Sequence, residues 1–190
     1  MAKLYFKYGA MGCSKSAQAL MCRFNYVQKG YKVLLIKPSL DTRDNEDGVA
    51  YVKSRIGLKA KCLTFSTEES LMDLYLSKKD ECDVVIVDEC QFATTKQIND
   101  LRDIAEFVPV ICYGLKTNFK TELFEGSKRL IELSDSITEL KSICKCGHKA
   151  IINARMVNGK PVTDGAEVVI GGDETYEAMC YQCFKKLKGE

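Results

Sequence analysis

Apolar positions cluster in short runs separated by longer amphipathic stretches. Leu4-Tyr5-Phe6-Lys7-Tyr8 predicts a strand, and residues 15–29 predict a helix with Leu20, Phe24 and Val27 at helical spacing, stopped by Gly30. Val33-Leu34-Leu35-Ile36 is wholly apolar and runs into Lys37-Pro38, the pattern of a strand covered on both faces. A charged, Gly-containing stretch at 41–54 predicts a mobile loop. Ser66-Thr67-Glu68-Glu69 has the form of a capping box opening a helix that carries Leu71, Leu74 and Tyr75. Val84-Val85-Ile86-Val87 predicts a second buried strand. Thr94–Phe107 predicts a helix with Ile98, Leu101 and Ala105 on one side, and Pro109–Tyr113 a further strand. Strands alternating with helices imply an α/β domain with a parallel central sheet. After about residue 140, cysteine pairs, glycines and short β-like runs replace the alternation. The expected division is 1–140 and a smaller domain over 141–190, with no repeat and no low-complexity tract.

Composition narrows the function classes. A chain of 190 residues with 46% hydrophobic content can bury a sizeable core. Its 28 basic and 26 acidic residues leave a net charge of +2, which argues against a strongly basic nucleic-acid binder but leaves room for a local phosphate site. No apolar run approaches a membrane span. The first strand begins so early that no signal peptide is expected, and ten cysteines without an export signal point to a reducing compartment, the cytoplasm. Some cysteines are then buried thiols and others metal ligands.

Three patterns carry chemistry. Gly9-Ala10-Met11-Gly12-Cys13-Ser14-Lys15-Ser16 follows the first strand and opens the first helix, as a phosphate loop does. Backbone N–H groups and the helix N-terminus would surround phosphates, Lys15 would reach the β- and γ-phosphates, and Ser16 would hold Mg²⁺. Ser14 stands where glycine is standard, at a crowded point that often needs unusual backbone angles. The competing reading is a Gly-rich turn with a surface lysine. Asp88-Glu89 follows the strand 84–87 at the edge where open α/β sheets bind ligands. Asp88 would hold Mg²⁺ through its water shell, and Glu89 would accept a proton from an attacking hydroxyl; a solvated acidic turn is the alternative. Cys144-Lys145-Cys146 and Cys180-Tyr181-Gln182-Cys183 offer four thiolates for a closed, structural tetrahedral zinc site. Lys145, Lys149, Lys185 and Lys186 would offset the surplus negative charge. His148, the one histidine, is expected beside the site rather than in it. Cys13, Cys22, Cys62, Cys82, Cys90 and Cys112 show no pairing and are expected to pack.

Taken in order, the Gly-Ala-Met opening of the loop, Lys37-Pro38, Asp41-Thr42-Arg43, Asp88-Glu89-Cys90-Gln91-Phe92, Tyr113-Gly114-Leu115-Lys116-Thr117-Asn118-Phe119 and Val169-Ile170-Gly171-Gly172-Asp173-Glu174-Thr175-Tyr176 resemble the type II thymidine kinases over nearly the whole chain. The Cys-x-Cys first pair is similar to a bacterial branch. The resemblance implies a RecA-like ATP-binding domain, a zinc-bearing lasso domain, a homotetramer, and transfer of the γ-phosphate of ATP to the 5′-hydroxyl of thymidine or deoxyuridine in pyrimidine salvage. Thymidine triphosphate is implied as a feedback inhibitor. Glu89 is implied as general base and Arg43 as the arginine near the transferring phosphate. Met11, Gln91, Leu115, Phe119 and Phe124 are implied around the nucleoside, covered by Val169, Ile170, Gly171, Gly172 and Tyr176. Departures from the family are Ser14, Lys116 where arginine is frequent, and Asn153 where some members carry threonine near the thymine methyl. Ser14 keeps a second reading open, a nucleotide-binding homologue with weakened transfer. A third, a phosphate-loop ATPase with a zinc ribbon on nucleic acid, is disfavoured by the near-neutral charge and the lack of a basic aromatic stripe.

Overall fold

The computed structural model describes residues 3–42, 44–162, 164–165 and 176–189. In chain order its elements are β1 (Leu4–Tyr8), α1 (Lys15–Gln28), β2 (Val33–Pro38), β3 (Tyr51–Lys53), β4 (Lys59–Lys61), β5 (Leu63–Phe65), α2 (Leu71–Ser77), β6 (Val84–Val87), α3 (Thr95–Ile104), β7 (Val110–Gly114), α4 (Glu125–Leu133) and β8 (Ser136–Glu139). Then follow β9 (Ser142–Ile143), β10 (Lys149–Ala150), β11 (Ile152–Val157), β12 (Lys160–Val162), β13 (Tyr176–Met179) and α5 (Tyr181–Lys188).

The architecture is α/β. Six strands form one sheet in the order β5-β2-β6-β7-β1-β8, every neighbouring pair parallel. The two-residue alternation of strand side chains divides the apolar runs between the faces. Phe6, Leu34, Ile36, Val85, Val87 and Cys112 join Ile98, Leu101 and Leu130 on the α3/α4 side. Leu35, Val84, Ile86, Ile111 and Tyr113 join Ala19 and Leu20 of α1 on the other. Burial on both faces is why these strands read as unbroken hydrophobic runs.

Parallel strands end on one edge. The loop after β1, Asp41 beyond β2, Asp88 after β6 and Leu115 after β7 therefore all emerge on the same side. Residues after Glu139 leave this sheet for a two-stranded pair, β9 with β10, and a three-stranded antiparallel sheet, β12-β11-β13. These pack around Ile152, Ala154, Met179 and Phe184, a cluster that also takes in Ala10 of the β1–α1 loop.

Three local expectations are corrected. Ser66 and Glu69 do bond to each other, Ser66 N–H to the Glu69 carboxylate and Glu69 N–H to Ser66 O, but the helix opens only at Leu71. Ser70 caps it, and Asp100 of α3 accepts the N–H groups of Leu71 and Met72 at 2.9 and 3.3 Å. The complete capping box lies at Thr94 and Gln97, opening α3. On α1, Leu20 faces the sheet but Phe24 and Val27 point outward, 60% and 44% exposed. The stretch 41–54 is not loop throughout: it ends in β3, which pairs with β4 as an antiparallel ribbon anchored by Val52 in the α1-side core.

Candidate active site

The β1–α1 loop is shaped from behind. Gly9 N–H donates to Gly114 O at 3.3 Å. A Cβ at Gly9 would lie 2.3 Å from Leu140 O and 2.5 Å from Cys13 Sγ, so no side chain fits there. Ala10 and Cys13 are buried, while Met11, Gly12, Ser14, Lys15 and Ser16 line an open cleft. Ser14 caps α1 at φ 63°, ψ 31°, the left-handed region that favours glycine, and its hydroxyl makes no capping bond. The Lys15 ammonium donates to Gly9 O and Ala10 O at 3.2 and 3.1 Å, holding a positive charge within the loop.

Across the cleft stand Asp88 and Glu89. The hydroxyl of Ser16 bonds the Asp88 carboxylate. Burial pushes Asp88 up to about 7, the charge of Glu89 adds to this, and Ser16 opposes it. A buried carboxylate beside a second acid and a serine hydroxyl is the donor set a small hard cation takes. Glu89 also sits in left-handed backbone, φ 51°, as the chain leaves β6 for a single 3-10 turn. Strained backbone at a strand end between a lysine loop and a cleft is characteristic of functional sites.

The cleft has a volume of about 470 Å³, and besides the β1–α1 loop and the acidic pair it is lined by Leu115, Phe119, Phe124, Asn153 and Tyr176. Phe124 meets Phe92 edge to face with centroids 5.7 Å apart, and the Arg155 guanidinium lies 3.7 Å from the Phe119 ring centre. Asn153 does more than line the cleft. Its Oδ1 accepts Met11 N–H at 2.7 Å and its amide donates to Thr117 O at 3.3 Å, joining three distant segments. Gln91 is buried against Glu89, donating to Glu89 Oε2 at 2.6 Å. Lys116 lies over the Tyr8 ring at 5.5 Å. Arg43, Val169, Ile170, Gly171 and Gly172 lie outside the described residues.

Sequence reasoning passed over Arg55. Ser54–Gly57 closes a tight turn at the ribbon's end: Gly57 N–H donates to Ser54 O at 3.0 Å, and the Ser54 hydroxyl accepts Leu58 N–H at 3.0 Å. That turn carries Arg55 into the cleft wall, its guanidinium 4.0 Å from where a Cβ on Gly12 would stand. The Ser-x-x-Gly spacing was the only local signal of it.

Cys144, Cys146, Cys180 and Cys183 converge, all four sulfurs within 4.8 Å of one another. Four thiolates at ~2.3 Å from a zinc ion would be separated by about 3.8 Å, so the set is compatible with one closed structural zinc. Backbone N–H groups of Cys146 and Cys180 draw Cys144 down to about 6, whereas the neighbouring thiols push Cys183 up to about 12. His148 Nδ1 stands 3.4 Å from Cys146 Sγ, on the exposed side. Lys145 pairs with Glu177 and Lys149 with Glu139, so these two cations serve nearby carboxylates as well. The six remaining cysteines are free thiols.

A family model described as "Thymidine kinase" matches residues 2–184. A thymidine kinase of Zymomonas mobilis subsp. mobilis is 42% identical over 189 residues, covering 97% of this chain and 96% of its own. One from Lactococcus lactis subsp. lactis is 43% identical over 189 residues, with 98% of each chain covered. One from Enterobacteria phage T4 is 41% identical over 192 residues, with 98% and 97% covered. Nothing in these similarities supports a homologue with weakened transfer.

Proposed function

We propose a reaction on the premise that this chain belongs to the thymidine kinase family: it transfers the γ-phosphate of ATP to the 5′-hydroxyl of thymidine, giving thymidine monophosphate and ADP. The observation that carries this is that Lys15 and Glu89 line one cleft with Phe119 and Phe124. The loop residues Gly9–Ser16 hold the polyphosphate, with Lys15 neutralising charge on the β- and γ-phosphates. Arg43 assists there. Glu89 takes the proton of the 5′-hydroxyl. The oxygen forms its bond to the γ-phosphorus as the bond to the β–γ bridging oxygen breaks, and ADP departs with that electron pair. Positioning and charge neutralisation dominate because the transition state is loose.

Ser16 and Asp88 are the residues that would hold Mg²⁺, which supplies further neutralisation of phosphate charge. Met11, Leu115, Phe119 and Phe124 enclose the base with Tyr176 beside them, and Val169–Gly172, which lie outside the described residues, are assigned to the nucleoside by the family resemblance alone. The thymine methyl contributes about 0.8 kcal/mol of burial, so deoxyuridine is a second substrate, about fourfold weaker. Residues 141–190 form a zinc-bearing domain in which the four cysteines hold the metal. The exposed apolar face of α1, Met21, Phe24 and Val27, supports assembly into a homotetramer. Thymidine triphosphate, carrying base and phosphates together, is the expected feedback inhibitor. Ten cysteines without a disulfide among them suit the reducing cytoplasm, and no helix among the described residues is long and apolar enough to cross a membrane.

The test is a nucleoside panel incubated with ATP and Mg²⁺. Thymidine and deoxyuridine should be phosphorylated, and Glu89→Gln should lower kcat by about 10²- to 10⁴-fold. Absence of thymidine monophosphate with the unaltered protein would overturn the assignment.

A further inference from the structure

We infer that Gln91 is a positioning residue for the Glu89 carboxylate rather than a contact to the nucleoside; the inference rests on the reading of Glu89 as the base. Gln91 is 2% exposed, and both ends of its amide have protein partners. Its Oε1 accepts the backbone N–H of Leu115 at 3.0 Å, and its Nε2 donates to Glu89 Oε2 at 2.6 Å. The first bond decides the second. A backbone N–H can only donate, so the amide oxygen must face Leu115, and the NH₂ is then turned toward the carboxylate.

Neighbouring backbone enforces the arrangement. A Cβ at Gly114 would lie 2.6 Å from Gln91 Oε1 and 2.6 Å from Cys90 Sγ, so the end of β7 accommodates the amide only as glycine. Glu89 itself sits in left-handed backbone, and Phe92 N–H donates to Glu89 O at 3.2 Å to close the turn. A glutamate side chain has three torsions of its own. Fixing one carboxylate oxygen from a buried amide removes most of that freedom and aims the group at the cleft. The same amide ties the base to Leu115, which lines the same cavity. The carboxylate and the wall beside the nucleoside are thus held in one register.

The experiment is a double-mutant cycle on the full chain, with thymidine KM and kcat read separately. Gln91→Met keeps the volume and removes both bonds. Gln91→Glu keeps an acceptor for Leu115 but puts a second buried carboxyl against Glu89, so that the pair holds one proton between them and the fixed amide donor is lost. Both variants should lower kcat by about tenfold to a hundredfold with thymidine KM held within about twofold, because a misplaced reacting group loses rate without losing binding. In a Glu89→Gln background, Gln91→Met should change kcat by less than about twofold, since the group it positions is already gone. A raised KM with unchanged kcat, or the same loss of kcat in both backgrounds, would overturn the inference. Thermal melting separates misfolding from either result: if Gln91→Met does not fold, Gln91→Glu carries the cycle. Full activity in Glu89→Gln alone would instead sink the reading of Glu89, so the two failures are distinguishable.

Discussion

From β1 to β8 the chain holds itself together by burying apolar side chains on both faces of a sheet; from Ser142 on, the described residues form short antiparallel pieces, the helix α5, one modest cluster and four converging sulfurs. The difference is one of what makes each region cooperative. The first has a two-sided core in which any one side chain is a small part. The second has a smaller cluster, and its four cysteines are placed where a metal would supply the cohesion that a larger core gives elsewhere. Yet the smaller region grips the working end of the larger one. Asn153 accepts the Met11 N–H, Ser142 donates to Met11 O at 3.1 Å, and Ala10 packs beneath Ile152 and Ala154. The β1–α1 loop therefore has two supports, its own strand and helix on one side and the cysteine-bearing region on the other.

The strongest way to break that comparison is to remove the metal. Structural zinc contributes an apparent ~10–16 kcal/mol in small domains, so Cys180→Ser should unfold the region it staples. Hydrogen exchange should show the amides of β11, β13 and α5 losing protection while those of β6 keep theirs, and thymidine phosphorylation should fall by at least about a hundredfold as the loop loses its second support. Protection unchanged in both regions would mean that the Ile152–Phe184 cluster suffices without metal.

A smaller perturbation separates gripping from folding. Asn153→Ala leaves the Met11 N–H and Thr117 O without their partner, and a buried group so stranded costs about 1–3 kcal/mol. KM for ATP should rise by about tenfold, with metal content unchanged. Normal ATP binding in this variant would show that the β1–α1 loop keeps its geometry without the Asn153 bonds.

The two regions were also legible to different degrees. Unbroken apolar runs marked β2, β6 and β7, because side chains covered on both faces leave no polar alternation, whereas β5 and the polar edge strand β8 carried no such signal. Spacing marked the thiol cluster, because a shared metal fixes where its ligands must lie along the chain. What stayed hidden depends on contacts between distant segments. Helical period groups Leu20, Phe24 and Val27 but cannot say that only Leu20 meets the sheet. The capping pattern at 66–69 is real, yet Asp100, some thirty residues on, supplies the acceptor that decides where α2 begins. Gln91 and Asn153 carry no local signature of the groups they hold, and Arg55 reaches the cleft only because the ribbon folds back.

The finest test concerns the phosphate loop's own support. Ser14 at φ 63° carries a side chain in left-handed backbone, which costs roughly 1–2 kcal/mol, and its hydroxyl returns nothing as a cap. Ser14→Gly removes that strain but gives the unfolded chain more freedom, offsetting roughly 0.4–1 kcal/mol. The net stabilisation is therefore about 0.5–1 kcal/mol, which for a chain of this size raises Tm by about 1–4 °C. The fold of the loop is set already by Gly9, Gly12 and the two bonds to Met11, so kcat should stay within about twofold. A rise of tenfold or more would mean that the serine holds the loop away from its working geometry, and that the grip from the cysteine-bearing region does not by itself define where the phosphates sit.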